Sequence, residues 1–368
     1  MKLKTLLLSS AAAFAVVGGA AAAQAADLSV AEPVDYVKVC DAFGAGYWYI
    51  PGTDTCLKIG GLVQFDVNFH STKNEYYGGT HSASWDMAGE YHLNATAKSM
   101  TEYGPLTGWI ELRGLSNLAD SSNTPKREAY VDSAYLELGM LKAGQFESNY
   151  HYFGSYNIGW DSYDAADDNV NQVALTWAAS GFGIQLAVED PRGRWGSSLS
   201  TSYSTPDIVG DITWANGPWD AKLSAGYADT TAGGGFGAQI GAQVKLDQLA
   251  PGDMLGAVFA WSQSEAPNFG AEGEGLGKGG STWSAVVAFK HFWAPTLQSN
   301  VTFQYADESG TSSPAKANWN GYTIAGNLVW SPVTNFFAGV EVAYAKTSAN
   351  GPTSDGVWGV KVRLERDW

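Results

Sequence analysis

Sixteen stretches of this chain alternate apolar and polar residues with a period of two, the spacing that puts successive side chains on opposite faces of a strand. In the first, Ile59, Val63, Phe65, Val67 and Phe69 share one face and Gln64, Asp66, Asn68 and His70 the other. The next sets Trp85, Met87, Tyr91, Leu93, Ala95 and Ala97 against Asp86, Glu90, His92, Asn94, Thr96 and Lys98. Further segments follow at 105–114, 129–138, 140–147, 171–178, 182–190, 206–215, 219–228, 237–246, 253–263, 283–292, 298–306, 321–330, 336–345 and 357–368. A soluble sandwich also alternates, so the weight falls on the number of segments and on what joins them. Short turns lie around Leu138-Gly139, Ala178–Gly181, Asn216-Gly217-Pro218, Trp293-Ala294-Pro295 and Ser331-Pro332. Longer polar connections occupy 71–84, 115–127, 147–170, 190–205, 229–236, 264–282, 307–319 and 346–356. Short turns at one end and long loops at the other are expected of a bacterial membrane barrel. A propeller would repeat every ~40–50 residues with recurring motifs, and none recurs.

In lipid every backbone N–H and C=O must find its partner inside the protein, so a spanning sheet cannot keep a free edge. The expected fold is therefore all-β: a closed antiparallel transmembrane barrel of about sixteen strands, apolar outside and polar inside. About eight strands would pack the interior shut, whereas sixteen leave an aqueous lumen. Composition agrees. Only 16% of residues are charged, against about 25% in an average soluble domain. The 15 Trp and 18 Tyr suit the two membrane–water boundaries.

The ends of the chain speak to export. Lys2 and Lys4 precede a short apolar run from Leu6 to Val17, and Ala23-Gln24-Ala25 fits the small-x-small cleavage rule. Residues 1–25 are thus expected to be a signal peptide and 26–368 one barrel domain. The formal net charge of −16 becomes −18 once those two lysines leave. Such acidity argues against nucleic acid as a partner. It does not fix ion preference, because distant loop charges are screened over ~8–10 Å. Cys40 and Cys56 are the only cysteines; in an exported chain an even pair reads first as a disulfide. Metal binding is the lesser alternative, since no His lies between them. Trp358, Val360, Val362 and Leu364 alternate towards a terminal Trp368, like the sorting signal of outer-membrane barrels. Arg366 departs from that pattern.

The run Val37 to Gly61, with its two cysteines around Gly44-Ala45-Gly46-Tyr47-Trp48-Tyr49-Ile50-Pro51-Gly52-Thr53-Asp54-Thr55 and a following Ile59-Gly60-Gly61, resembles the alphaproteobacterial general porins. Val188-Glu189-Asp190, Pro206-Asp207-Ile208-Val209-Gly210 and Leu249-Ala250-Pro251-Gly252-Asp253 agree with it, and the resemblance covers essentially the whole mature chain. It implies a sixteen-stranded homotrimer in the bacterial outer membrane, set in outer-membrane lipid and lipopolysaccharide. It also implies passive diffusion of small hydrophilic solutes and ions, no cofactor, and a constriction made by the third external loop.

The candidate third loop, 147–170, carries Tyr150, His151, Tyr152, Phe153, Tyr156, Trp160 and Tyr163 with Asp161, Asp164, Asp167 and Asp168. So many large rings are unfavourable in water. Folding inward would bury them and bring the aspartates into the channel; the other reading packs the loop externally or on another subunit. Lys98, Arg113, Lys142, Lys361 and Arg363 are expected to face inward, because a charge at mid-bilayer costs roughly 2–4 kcal/mol on the lipid face. Acid facing base would filter ions by charge; an ordinary solvated wall charge is the alternative for each. A substrate-selective channel and a secreted adhesin stay open as other functions. An enzyme is the rival class, but none of the five His sits in a hydrolase or metal motif such as H-E-x-x-H.

Overall fold

The computed structural model describes residues 38–71, 85–119, 125–160, 163–193, 205–230, 233–266, 269–271, 279–310, 318–349 and 356–368. The expected signal peptide and Asp161 lie outside them. A two-residue strand, β1 (Trp48–Tyr49), precedes sixteen long ones. These are β2 (Cys56–His70), β3 (Trp85–Thr101), β4 (Gly104–Ala119), β5 (Pro125–Leu138), β6 (Leu141–Glu147), β7 (Asn169–Ala179), β8 (Phe182–Glu189) and β9 (Asp207–Asn216). Then come β10 (Trp219–Thr230), β11 (Gly233–Lys245), β12 (Met254–Gln263), β13 (Ser281–Ala294), β14 (Leu297–Ser309), β15 (Trp319–Val333), β16 (Phe336–Ala349) and β17 (Val357–Asp367). Each pairs antiparallel with its neighbours in sequence, and β17 pairs with β2, from Gly359 opposite His70 to Asp367 opposite Leu62. That last ladder closes the barrel, and all sixteen expected strands are present in order.

The polarity is inverted relative to a soluble core. On β14, Val301 and Phe303 are exposed while Asn300, Thr302 and Gln304 between them are buried. On β2, Val63, Phe65 and Phe69 are exposed and Gln64, Asp66 and Asn68 buried. A surface studded with Leu, Ile, Val and aromatic side chains is unfavourable in water and favourable against acyl chains.

Three connections differ from expectation, each for a local reason. The Gly-rich stretch 229–236 is almost all strand, leaving residues 231–232 between β10 and β11. The glycines pair in the ladder, Gly233 to Thr230 and Gly235 to Ala228. The Tyr227 ring lies where a Gly234 side chain would be, and a ring laid across a strand glycine in this way restores the missing packing. The 115–127 loop shortens to 120–124 because β4 and β5 continue further. At the short-turn end, β15 runs through Ser331-Pro332 to Val333, with its register broken between Trp330 and Val333, as a proline without an N–H requires; the turn follows at 334–335.

Cys40 and Cys56 form the expected disulfide, Cα–Cα 6.0 Å, which fastens the β1 hook to the start of β2. At the other end of the chain, Trp368 N donates to Gly61 O at 3.1 Å. Arg366 points outward but at a strand end, where its Nη1 reaches Asn335 O of the adjacent turn at 2.9 Å. A long cationic side chain there escapes the apolar zone, so the departure from the terminal pattern is tolerated. The inverted polarity predicts that Phe303→Arg, at the middle of β14 on the outer face, destabilises the barrel by roughly 2–4 kcal/mol. Urea titration of folding into phospholipid vesicles measures it.

Candidate pore constriction

One run of charged side chains crosses the inner face of β17, β2, β3, β4 and β5. Its origin is register: Arg363 stands directly opposite Asp66, and Gln64 opposite Glu90. Arg363 grips Asp66 with two bonds of 2.8 Å, and Lys361 Nζ reaches the same carboxylate at 3.2 Å. Gln64 Nε2 donates to Asp66 at 3.1 Å and to Glu90 at 3.4 Å. His92 bridges Glu90 (2.7 Å) and Glu111 (3.2 Å). Arg113 then joins Glu111 (2.7 Å) to Asp132 (3.1 Å), and Asn169 of β7 donates to Asp132 at 2.8 Å.

Asp132 enters this run through a bulge. β5 opposes Ser133 to Glu111 and Val131 to Leu112, leaving Asp132 as the extra residue. Bulges re-aim side chains in this manner. A two-pronged guanidinium–carboxylate pair on a buried aspartate is among the stronger polar contacts a protein makes.

The segment between β6 and β7, residues 148–168, is tied to other strands. Ser148 Oγ and Asn149 N donate to the buried Glu189 of β8 at 3.0 and 3.1 Å. Tyr152 Oη donates to Asp220 of β10 (2.6 Å) and Tyr156 Oη to Gln243 of β11 (2.8 Å). Burial pushes the Tyr156 phenol up to about 12, so it stays a neutral donor. Ile158 N and Trp160 N both donate to Glu341 of β16, at 2.7 and 3.0 Å, and Tyr163 N donates to Gln304 of β14 at 2.9 Å. Glu341 is wholly buried, and charge-assisted bonds of this kind contribute ~1.5–3 kcal/mol each. Small wall residues make room for the rings: a Cβ at Gly256 would stand 2.5 Å from Phe153, and one at Gly359 would stand 2.7 Å from Trp160. Trp160 also packs on Ala325 and Ala343.

The expected site residues separate into groups. Arg113, Lys361 and Arg363 share the charged run, and Lys361 Nζ also lies 5.8 Å from the Trp160 ring. Lys142 sits apart, 4.0 Å from the Tyr135 and Phe146 rings. Lys98 lies near the hook, 5.9 Å from the Tyr47 ring. Asp164 and Asp167 approach His151 at 3.9 Å, and the Asp168 carbonyl accepts from Ser148 N at 2.9 Å. Arg113 and Arg363 are paired with the wall carboxylates Glu111, Asp132 and Asp66, groups that the sequence did not single out as partners. Glu341, Gln304 and Gln243, which hold the loop, were also missed. Each showed only as one more polar residue on an alternating strand.

Comparison with known proteins places these features in a family. Residues 27–361 match the family described as "Porin subfamily". The chain is 29% identical to Porin Omp2b of Brucella neotomae over 391 aligned positions, covering the whole of both. Its fold is similar to the outer membrane channel DcaP of Acinetobacter baumannii, with TM-score 0.73, 17% identity, and 87% of this chain and 99% of that one covered. It is also similar to the trimer form of OmpT of Vibrio cholerae, with TM-score 0.56, 10% identity, and coverage of 86% and 100%. The family match over nearly the whole chain, together with the closed sixteen-stranded barrel, shows that this chain belongs to the porin subfamily.

Proposed function

We propose that this porin is a general diffusion channel of the bacterial outer membrane, in which residues 148–168 fold into the lumen and narrow the water-filled passage. The observation that carries this is the reach of the loop. It leaves β6 and returns to β7, yet its backbone is held by side chains from the inner faces of β14 and β16. A segment so anchored crosses the ring, and the passage is left between it and the β17–β2–β5 wall. Small hydrophilic solutes and ions pass by diffusion; the polar groups of that wall are bonded to one another rather than arranged around a reacting centre, as suits a channel and not an enzyme.

Along the wall run, Asp66, Glu90, Glu111 and Asp132 outnumber Lys361, Arg363 and Arg113. The passage accordingly favours cations weakly. The outward apolar face meets outer-membrane lipid and lipopolysaccharide and, by analogy with the trimer form of the Vibrio protein, two further copies of the chain. The first 25 residues are removed on export. A substrate-selective channel is the second reading, and the stacked Trp109–Tyr135 pair beside Lys142 favours it, since aromatic rows hold solutes.

Swelling of liposomes in sugars of graded size decides between the two: a rate that falls with solute size alone is expected, and saturation by one solute would favour the selective reading. Asp66→Asn is expected to shift the reversal potential of planar-bilayer currents towards anions; unchanged selectivity would take this wall off the ion path. Glu341→Ala frees the Ile158 and Trp160 amides, a loss of ~3–6 kcal/mol for two charge-assisted bonds. It is expected to raise single-channel conductance and the swelling cut-off, and an unchanged conductance would refute the loop as the constriction.

A further inference from the structure

The two ends of the 148–168 loop meet. Ser148 N donates to Asp168 O at 2.9 Å, which lays residue 167 beside residue 147, and His151 N closes a turn on Ser148 O at 3.1 Å. That turn brings Glu147 and His151, four residues apart, to the same side. One carboxylate oxygen of Glu147, one of Asp167 and a His151 ring nitrogen consequently lie within 4.8 Å of one another. Glu147 is hydrogen-bonded to His151 Nδ1, and Asp167 approaches the same atom at 3.9 Å.

The burial of the three is unequal. The His151 side chain is 11% exposed, against 56% for Glu147 and 60% for Asp167, so the donors open to the aqueous side. A cavity of about 220 Å³ beside Glu147 and His151, bordered also by Lys142, Thr176, Gln185 and Lys222, gives a small ion a way in. On the far side of the ring, Nε2 is buried with no hydrogen-bond partner among the described residues. It lies 3.9 Å from the Asp164 carboxylate.

We propose that Glu147, His151 and Asp167 are the three protein ligands of a site for a divalent transition-metal cation of the zinc type, with water in the open position. One imidazole nitrogen with two carboxylates suits zinc, whereas magnesium and calcium prefer all-oxygen shells. Asp164, 3.9 Å from Nε2, must close to hydrogen-bond distance to orient the imidazole through its other nitrogen. Donors around tetrahedral zinc at ~2.0–2.2 Å are separated by about 3.3 Å, so Asp167 must close on His151 Nδ1 by roughly 0.6 Å while Glu147, now hydrogen-bonded to it, draws back. The two exposed carboxylates at the loop root have room to do so. Binding displaces the proton held between Glu147 and His151. Because the ligands come from the end of β6, the start of the loop and its end, the ion staples the loop at its root.

The test is calorimetric titration of the full-length folded barrel in detergent with zinc chloride, with calcium chloride titrated in parallel, and it does not depend on conduction. One zinc ion per chain is expected, bound at least about tenfold more tightly than calcium. The affinity is expected to fall at least about tenfold in His151→Gln and in Asp167→Asn, and about tenfold in Asp164→Asn. Asp167 is exposed, so its variant keeps the fold if His151→Gln does not; heat-modifiable migration on gels checks both. Zinc affinity unchanged in Asp167→Asn, or calcium bound as tightly as zinc, would overturn the proposal and leave an ordinary acidic surface.

Discussion

The ladder between β17 and β2 is the constraint on which everything else in the structure depends. Every other strand pairing could form in an open sheet; this one removes the edge. In an acyl-chain environment an unpaired backbone amide costs several kcal/mol, so an open sheet of these strands has no stable home there. Closure in turn demands that the first and last barrel strands run side by side, which places the Cys40–Cys56 hook and Trp368 at the same end. The hydrogen bonds between Gly61 and Trp368 carry the seam to its last residue. Once the seam is closed, outer-face side chains meet lipid and inner-face ones water, and the inversion of polarity along each strand follows.

The same closure explains why the interior can be both wide and furnished. A wall of strands is a poor place to bury a ring, because alternate side chains compete for the space. Glycine and alanine at inward positions such as Gly256, Gly359, Ala325 and Ala343 resolve this by leaving shallow depressions for Phe153 and Trp160. The loop's amides are then met by buried carboxylates and amides, Glu341 foremost. An inward Glu buried without donors would carry a heavy desolvation cost; with two backbone N–H groups from the loop its charge is compensated. Loop and wall are therefore mutually dependent. The loop needs Glu341 for its amides, and in covering Glu341 it replaces with those amides the water the carboxylate would otherwise meet.

Strand number, order and facing were all legible in the sequence, because period two is a one-dimensional signal and needs no partner to be seen. The reading failed where structure depends on a second strand. Gly233 to Gly235 look like a loop until Tyr227 is known to lie across them. Asp132 shares the parity of the outward Leu136 until the bulge opposite Glu111 and Leu112, which turns it inward, is known. The pairing of Arg363 with Asp66 joins residues 297 positions apart and is set by the register of the closing ladder, which alternation leaves free by even-numbered slips. Candidate cations were found because a charge on the lipid face is costly; their partners were not, because polar residues inside carry no such penalty to reveal them.

This distinction bears on how the proposed constriction would filter charge. Two facing arcs of opposite sign, loop acids against wall bases, would make a strong transverse field. In this barrel Arg113, Lys361 and Arg363 are neutralised by wall acids at hydrogen-bond distance, and paired charges at ~3 Å produce a field that decays over a few ångströms in water. What a passing ion senses is then the local excess rather than the sum of the basic groups. Asp66 would be its pivot, since among the described residues it holds both Lys361 and Arg363 and sits 5% exposed beneath them. The sign of the filter is consequently a property of a few cross-strand neighbours. Neither the chain's net charge nor the barrel fold fixes it, and closely similar barrels can differ in ion preference through changes at a handful of inward positions.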